Sequence, residues 1–77
     1  MKLDPNGYFI ITIRNQLITA EHYNYEDQLK NSYSSKDPEE LFNKIKDLVN
    51  DEHALYLKKE LKRAEIALKT GDKYIQN

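Results

Sequence analysis

The chain contains no cysteine, so neither a disulfide framework nor a thiolate metal site supplements the small core that 77 residues can build. That absence suits a reducing compartment, and the expected location is cytoplasmic. A dominant charge is also lacking. Twelve basic and 13 acidic residues leave a net charge of −1, whereas a general nucleic-acid binder carries a basic excess, so no nucleic-acid partner is expected. No apolar run approaches the roughly 20 residues of a membrane span, and no signal-peptide pattern opens the chain, so no membrane association is expected. With two glycines in all, there is no Gly-rich phosphate loop, and nucleophile-elbow and metal motifs are absent too. The adjacent carboxylates Glu26-Asp27, Glu39-Glu40 and Asp51-Glu52 fall in a turn and at two helix starts, where they serve local structure. The chain therefore reads as non-enzymatic, with no catalytic residue and no cofactor.

What is present describes a single small domain over residues 1–77. A chain of this length buries about 60% of its unfolded surface. Its 39% hydrophobic and 32% charged residues fit a globular protein, not a disordered one. The mean hydropathy of −0.86 is low, which leaves room for a partner or a second copy to contribute buried surface.

Pro5-Asn6-Gly7 is a turn signal ending a short lead-in. Tyr8 to Ile13 is wholly β-branched or aromatic and predicts a strand. Arg14-Asn15-Gln16 then turns the chain into Leu17 to Tyr23, an antiparallel hairpin in which Asn15 can take a positive φ. A weaker third strand over Gln28 to Ser34 is placed at an edge, where Lys30 discourages further pairing. Asp37 as N-cap, Pro38 as first helical residue and Glu40 as capping-box partner start helix one. Its core face is Leu41, Phe42, Ile45, Leu48 and Val49. Asn50-Asp51 breaks it and caps helix two, from about Glu52 to Lys69. Ala54, Leu57, Leu61, Ala64 and Leu68 form one stripe along helix two, with Leu55 and Ile66 on the far side. Gly71 supplies the left-handed end. The tail Lys73-Tyr74-Ile75 carries two hydrophobes able to fold back. The expected fold is α+β: a three-stranded antiparallel meander with two helices on one face, in the order β-β-β-α-α. Helix two should place Leu57, Leu61 and Ala64 against Phe9, Ile11 or Ile13.

At about 100° per residue, His53, Tyr56, Glu60 and Ala67 share one flank of the helix-two stripe. Tyr56 and Glu60 are an i,i+4 pair, and His53 in the first turn is held toward neutral imidazole by the helix dipole. This polar rim is a candidate surface for a small planar ligand or a partner. A structural role is simpler: His53 capping, Tyr56 packing, and Glu60 pairing with a lysine. His22 joins the candidates from the second strand, on the face of Ile18 and Ala20 and opposite Glu21 and Tyr23. Two histidines without cysteine make a structural zinc site improbable, and no metal is expected. Lys58, Lys59, Lys62, Arg63 and Lys69 give helix two a basic row that reads as a solvated face. The first strand is apolar on both faces, so the sheet face away from the helices needs a cover. Tyr8, Ile10 and Tyr23 are the candidate contributors, with Thr12 beside them, although the first strand leaves open which of its two alternate sets faces the helices; a protein partner or homo-oligomer is the expected occupant.

Asp4-Pro5-Asn6-Gly7-Tyr8-Phe9-Ile10, Glu21-His22-Tyr23, His53-Ala54-Leu55-Tyr56-Leu57 with Glu60-Leu61, Ala64-Glu65-Ile66-Ala67-Leu68 and Tyr74-Ile75-Gln76 follow one another in register. Together they resemble a small uncharacterised domain with the pattern D-P-x-G-Y-F, E-H-Y, H-A-x-Y-L-G-x-E-L, A-E-x-A-L and Y-x-Q. That domain is appended to archaeal proteins related to dihydropteroate synthase and to the A-type subunit of tetrahydromethanopterin S-methyltransferase, and it also occurs free-standing, as expected here. The resemblance covers essentially the whole chain. It implies one-carbon or pterin metabolism by association, and the matching polar positions are His22, His53, Tyr56, Glu60 and Glu65. Lys58 stands where the pattern has Gly, and it fills space that a helical glycine leaves open. The Arg14-Asn15-Gln16 turn is shorter than in the fused relatives. The leading expectation is an accessory or interaction module docking through the open sheet face. The alternative is a binder of pterin- or folate-like small molecules through His53, Tyr56 and Glu60, aided by His22.

Overall fold

A computed structural model describes residues 7–76; the Pro5-Asn6 part of the expected turn lies outside the described residues. Three strands, β1 (Tyr8–Arg14), β2 (Leu17–Tyr23) and β3 (Leu29–Ser35), form one antiparallel sheet in sequence order. Two helices follow, α1 (Pro38–Ile45) and α2 (Asp51–Thr70), joined by a 3-10 turn over Lys46–Leu48. This is the α+β meander with two helices that the alternation and helical spacing predict.

The hairpin closes on two residues, since Arg14 pairs with Leu17. Asn15 and Gln16 both take positive φ, 52° and 63°, the pattern whose twist matches the strands it joins. The second turn is built by Asn24, whose Oδ1 accepts the backbone N–H groups of Glu26 and Gln28 at 2.9 and 3.0 Å. The Tyr8 hydroxyl donates to Asp27 Oδ1 at 2.7 Å and ties this turn to the start of β1. Gly7 sits at φ 95°, and a Cβ there would stand 1.9 Å from the Tyr23 carbonyl oxygen. No other residue fits that position without moving the β2 backbone.

Pairing of Phe9 with His22, Ile11 with Ala20 and Ile13 with Ile18 puts these six side chains on the helix side of the sheet. Phe9, Ile11, Ile18 and Ala20 form one core with Leu41, Ile45, Leu57, Leu61 and Ala64. The opposite face presents Tyr8, Ile10, Thr12, Thr19, Glu21 and Tyr23. β1 is apolar on both faces; its partner decides the orientation. β2 alternates Ile18 and Ala20 with Thr19 and Glu21; both pairs are buried, but only the apolar pair joins the core against the helices.

Asp37 caps α1, its Oδ1 accepting the Glu39 N–H at 3.0 Å, with Pro38 first in the helix. The reciprocal half of the expected capping box does not form. The Asp37 N–H donates to Ser35 Oγ at 3.0 Å, and Glu40 turns outward to Lys44 at 3.4 Å. The helix also ends earlier than its apolar spacing predicts. Leu48 lies in the 3-10 turn and Val49 is extended, yet both remain packed on the core. Tightening to 3-10 geometry keeps them inward while turning the chain toward α2. Asn50 caps α2 by accepting the His53 N–H at 2.8 Å, and Gly71 ends it at φ 77°. Leu55 and Ile66 are 63% and 61% exposed, away from the core. Among the described residues, no helix is long and apolar enough to cross a membrane.

Candidate functional site

The buried face of α2 is wider than its aliphatic stripe. His53, Glu60 and Ala67 are buried beside Leu57, Leu61 and Ala64, so the polar flank borders the core. The His53 and Tyr56 rings lie 6.0 Å apart at 44°. Glu60, only 3% exposed, is held from two sides. Its Oε1 accepts from Arg63 Nη1 at 2.6 Å and from the Tyr74 hydroxyl at 2.8 Å. Arg63 also lies over the Tyr74 ring at 5.7 Å and donates to the Ile75 carbonyl at 3.3 Å. Burial, followed by donation to Glu60, pushes the Tyr74 phenol far above its ordinary pKa.

Two residues along the tail, Gln76 completes the arrangement. Its Oε1 accepts the Ile11 N–H at 2.7 Å, and its Nε2 donates to the Phe9 carbonyl at 3.3 Å and to the Tyr56 hydroxyl at 3.1 Å. β1 is an outer strand of the sheet, and these are the backbone groups a neighbouring strand would pair. One carboxamide thus satisfies a donor and an acceptor on that edge, a local protection against edge-to-edge association. The tail therefore straps the end of the chain to both α2 and β1. Of its two hydrophobes, Tyr74 folds onto the core and Ile75 stays exposed.

The four candidate site residues fall into two groups that share Phe9. The Phe9 ring stacks on His22 at 4.7 Å, while its carbonyl receives Gln76 and, through it, Tyr56. His22, His53, Tyr56 and Glu60 each have further interactions beyond these, so none is a free group. Among the described residues, no group of three or more His, Asp or Glu side chains is placed to hold a metal. Lys58 is exposed and lies 6.0 Å from the Phe42 ring of α1. Its side chain occupies the space beside α1 that a glycine would leave empty.

On the outer sheet face, the Tyr8 and Tyr23 rings stack at 5.4 Å and 11°. Ile10 is exposed beside them, and Leu29, which pairs with Tyr23, is 53% exposed. Arg14 reaches Glu21 at 3.4 Å, and the Thr19 and Ser34 hydroxyls lie 3.2 Å apart. This face is a mixed aromatic and polar surface opposite the helices.

A concavity of about 880 Å³ lies elsewhere. It runs between the β1–β2 hairpin, Lys36, the last turns of α2 and the tail from Gly71 to Tyr74. The sequence points to Leu68 and Lys69 only as stripe and basic row. Lys36 and Lys73 carry no local signal, because the fold alone brings them to one groove.

These features define a small α+β domain whose polar helix flank is sealed by its own tail and whose sheet is open on one face. The chain belongs to the PterinBD-DUF4346 family, whose model matches residues 3–77; the family is one of domains associated with pterin-binding proteins. No curated protein and no solved structure matches the chain.

Proposed function

We propose that this chain is a non-enzymatic docking module that seats the open face of its sheet on a pterin-binding protein. The observation that carries this reading is the outer-face cluster of stacked Tyr8 and Tyr23 with exposed Ile10 and Leu29. Aromatic anchors bordered by polar side chains are the composition of a recognition surface. The family's association with pterin-binding proteins supplies the class of partner. Proteins related to dihydropteroate synthase or to the A-type subunit of tetrahydromethanopterin S-methyltransferase are the first to test. The non-enzymatic reading is supported by a flank whose buried carboxylate is committed to Arg63 and Tyr74.

The test is titration calorimetry of the chain against such a partner, with sedimentation velocity of the chain alone. Ile10→Glu should abolish binding, while Leu55→Glu, on the exposed side of α2, should leave it intact. Self-association without partner binding would replace the partner with a second copy. Equal binding by both variants would remove the sheet face from the account.

A second reading is favoured by the family association: a reduced pterin bound through His22, His53, Tyr56 and Glu60. The tail now occupies Tyr56 and Glu60, so this ligand would displace Gln76 and Tyr74. Thermal-shift titration with tetrahydropterin, comparing the parent with Tyr56→Phe, tests it. No shift at millimolar ligand ends this reading.

A further inference from the structure

The 880 Å³ groove has the size of a site for a small organic molecule. Its apolar wall is made by Ile13, Leu68 and Tyr74, all partly buried against the core. Its rim carries Lys36, Lys69 and Lys73, reversing the sign of a chain whose net charge is −1. Two carboxylates also line it, and both are engaged: Glu65 with Lys69 at 3.7 Å, and Asp72 with the Thr70 hydroxyl at 2.9 Å. Among the described residues, Lys36 and Lys73 form no ion pair.

Lysines near the end of a helix are commonly explained by its dipole, and that suffices for Lys69. It does not account for Lys36, which precedes α1 and reaches the groove only because the strand-to-helix connection passes there. Two cations from separate elements, facing one apolar wall, form a two-part recognition surface. The wall suits a flat hydrophobic body, and the lysines suit an anionic group attached to it. A polyanion is a poor fit, because acidic residues balance the basic ones over the whole chain.

We propose that this groove binds a small planar organic anion, with the ring system against Ile13 and Leu68 and the anionic group between Lys36 and Lys73. The site is separate from Tyr8, Ile10 and Tyr23, so its failure leaves the docking proposal untouched.

The experiment is an NMR titration of the full chain with 2-naphthoate, using neutral 2-naphthylmethanol as the matched control. The amides of Ile13, Gln16 and Leu68 to Lys73 should shift saturably with 2-naphthoate, and the neutral control should bind about tenfold more weakly. Lys36→Gln and Lys73→Gln should each weaken 2-naphthoate binding about tenfold while leaving the melting temperature unchanged. Equal affinity for the two probes, unchanged affinity in both variants, no saturable shift at millimolar probe, or shifts confined to the outer sheet face would each overturn the proposal.

Discussion

Replacing Glu60 with Ala removes the carboxylate on which the tail is anchored. The Tyr74 hydroxyl would then sit partly buried without its acceptor, at a cost of about 1–2 kcal/mol. Arg63 contributes less, because its side chain is 44% exposed and water takes over its hydrogen bonds, leaving about 0–1 kcal/mol from the pair. The sum is about 1–3 kcal/mol, a sizeable share of the total stability of about 4–12 kcal/mol for a chain this size. It corresponds to a fall in melting temperature of about 4–24 °C. Tyr74→Phe should cost about 1 kcal/mol, since Glu60 keeps Arg63. Glu60→Gln should cost less than Glu60→Ala, because its amide oxygen still accepts from Tyr74. Urea unfolding followed by circular dichroism measures each variant, with the midpoint falling and the slope unchanged. The double variant should reveal a coupling of about 1 kcal/mol between positions 60 and 74. If Glu60→Ala costs under about 0.5 kcal/mol, or the two changes are additive within about 0.3 kcal/mol, the tail is not held by this contact.

Gln76→Ala should raise the amide exchange rate of Ile11 by about tenfold while leaving Ile18 in the middle strand nearly unchanged; equal acceleration at both would indicate global loosening instead. Gly7→Ala should destabilise the domain by more than about 2 kcal/mol, because the added Cβ clashes with backbone at positive φ. Gly71→Ala, at positive φ but with nothing within 4 Å of the added Cβ, should cost only about 1 kcal/mol; similar losses at both sites would refute the close-approach argument. Hydrogen bonding to Asp27 raises the Tyr8 phenol from 10.0 to about 12, and burial raises Tyr74 as well. The folded state therefore holds these protons more tightly. The stability they contribute is fully present below about pH 10 and is lost as pH rises toward about 12. Urea midpoints across that range should fall, and less steeply in Tyr8→Phe; a flat or rising profile in the parent would contradict the sign.

Much of this fold is legible locally. Asn50 and Gly71 bracket α2 because a side-chain cap and a left-handed end are short-range requirements. Leu55 and Ile66 announce their exposure by falling off the helical stripe. The orientation of the sheet is readable only from its middle strand, where Thr19 and Glu21 mark the outer face; β1 alone is apolar on both sides. Helix one illustrates the reverse, since Leu48 and Val49 keep helical spacing although the chain has already left the helix. The candidate flank is recognisable by the adjacency of His53, Tyr56 and Glu60. Its connections to Tyr74 and Gln76 are not, because they depend on where the tail lands, and no pattern within the tail specifies a β1 backbone partner. The Lys36–Lys73 groove is hidden for the same reason.

The most direct test of the docking account is calorimetric titration of the chain into a pterin-binding partner of the dihydropteroate-synthase-related class, comparing parent, Ile10→Glu and Leu55→Glu. Saturable binding by the parent and Leu55→Glu, lost in a folded Ile10→Glu, is the predicted result. Binding that survives Ile10→Glu undiminished would contradict it.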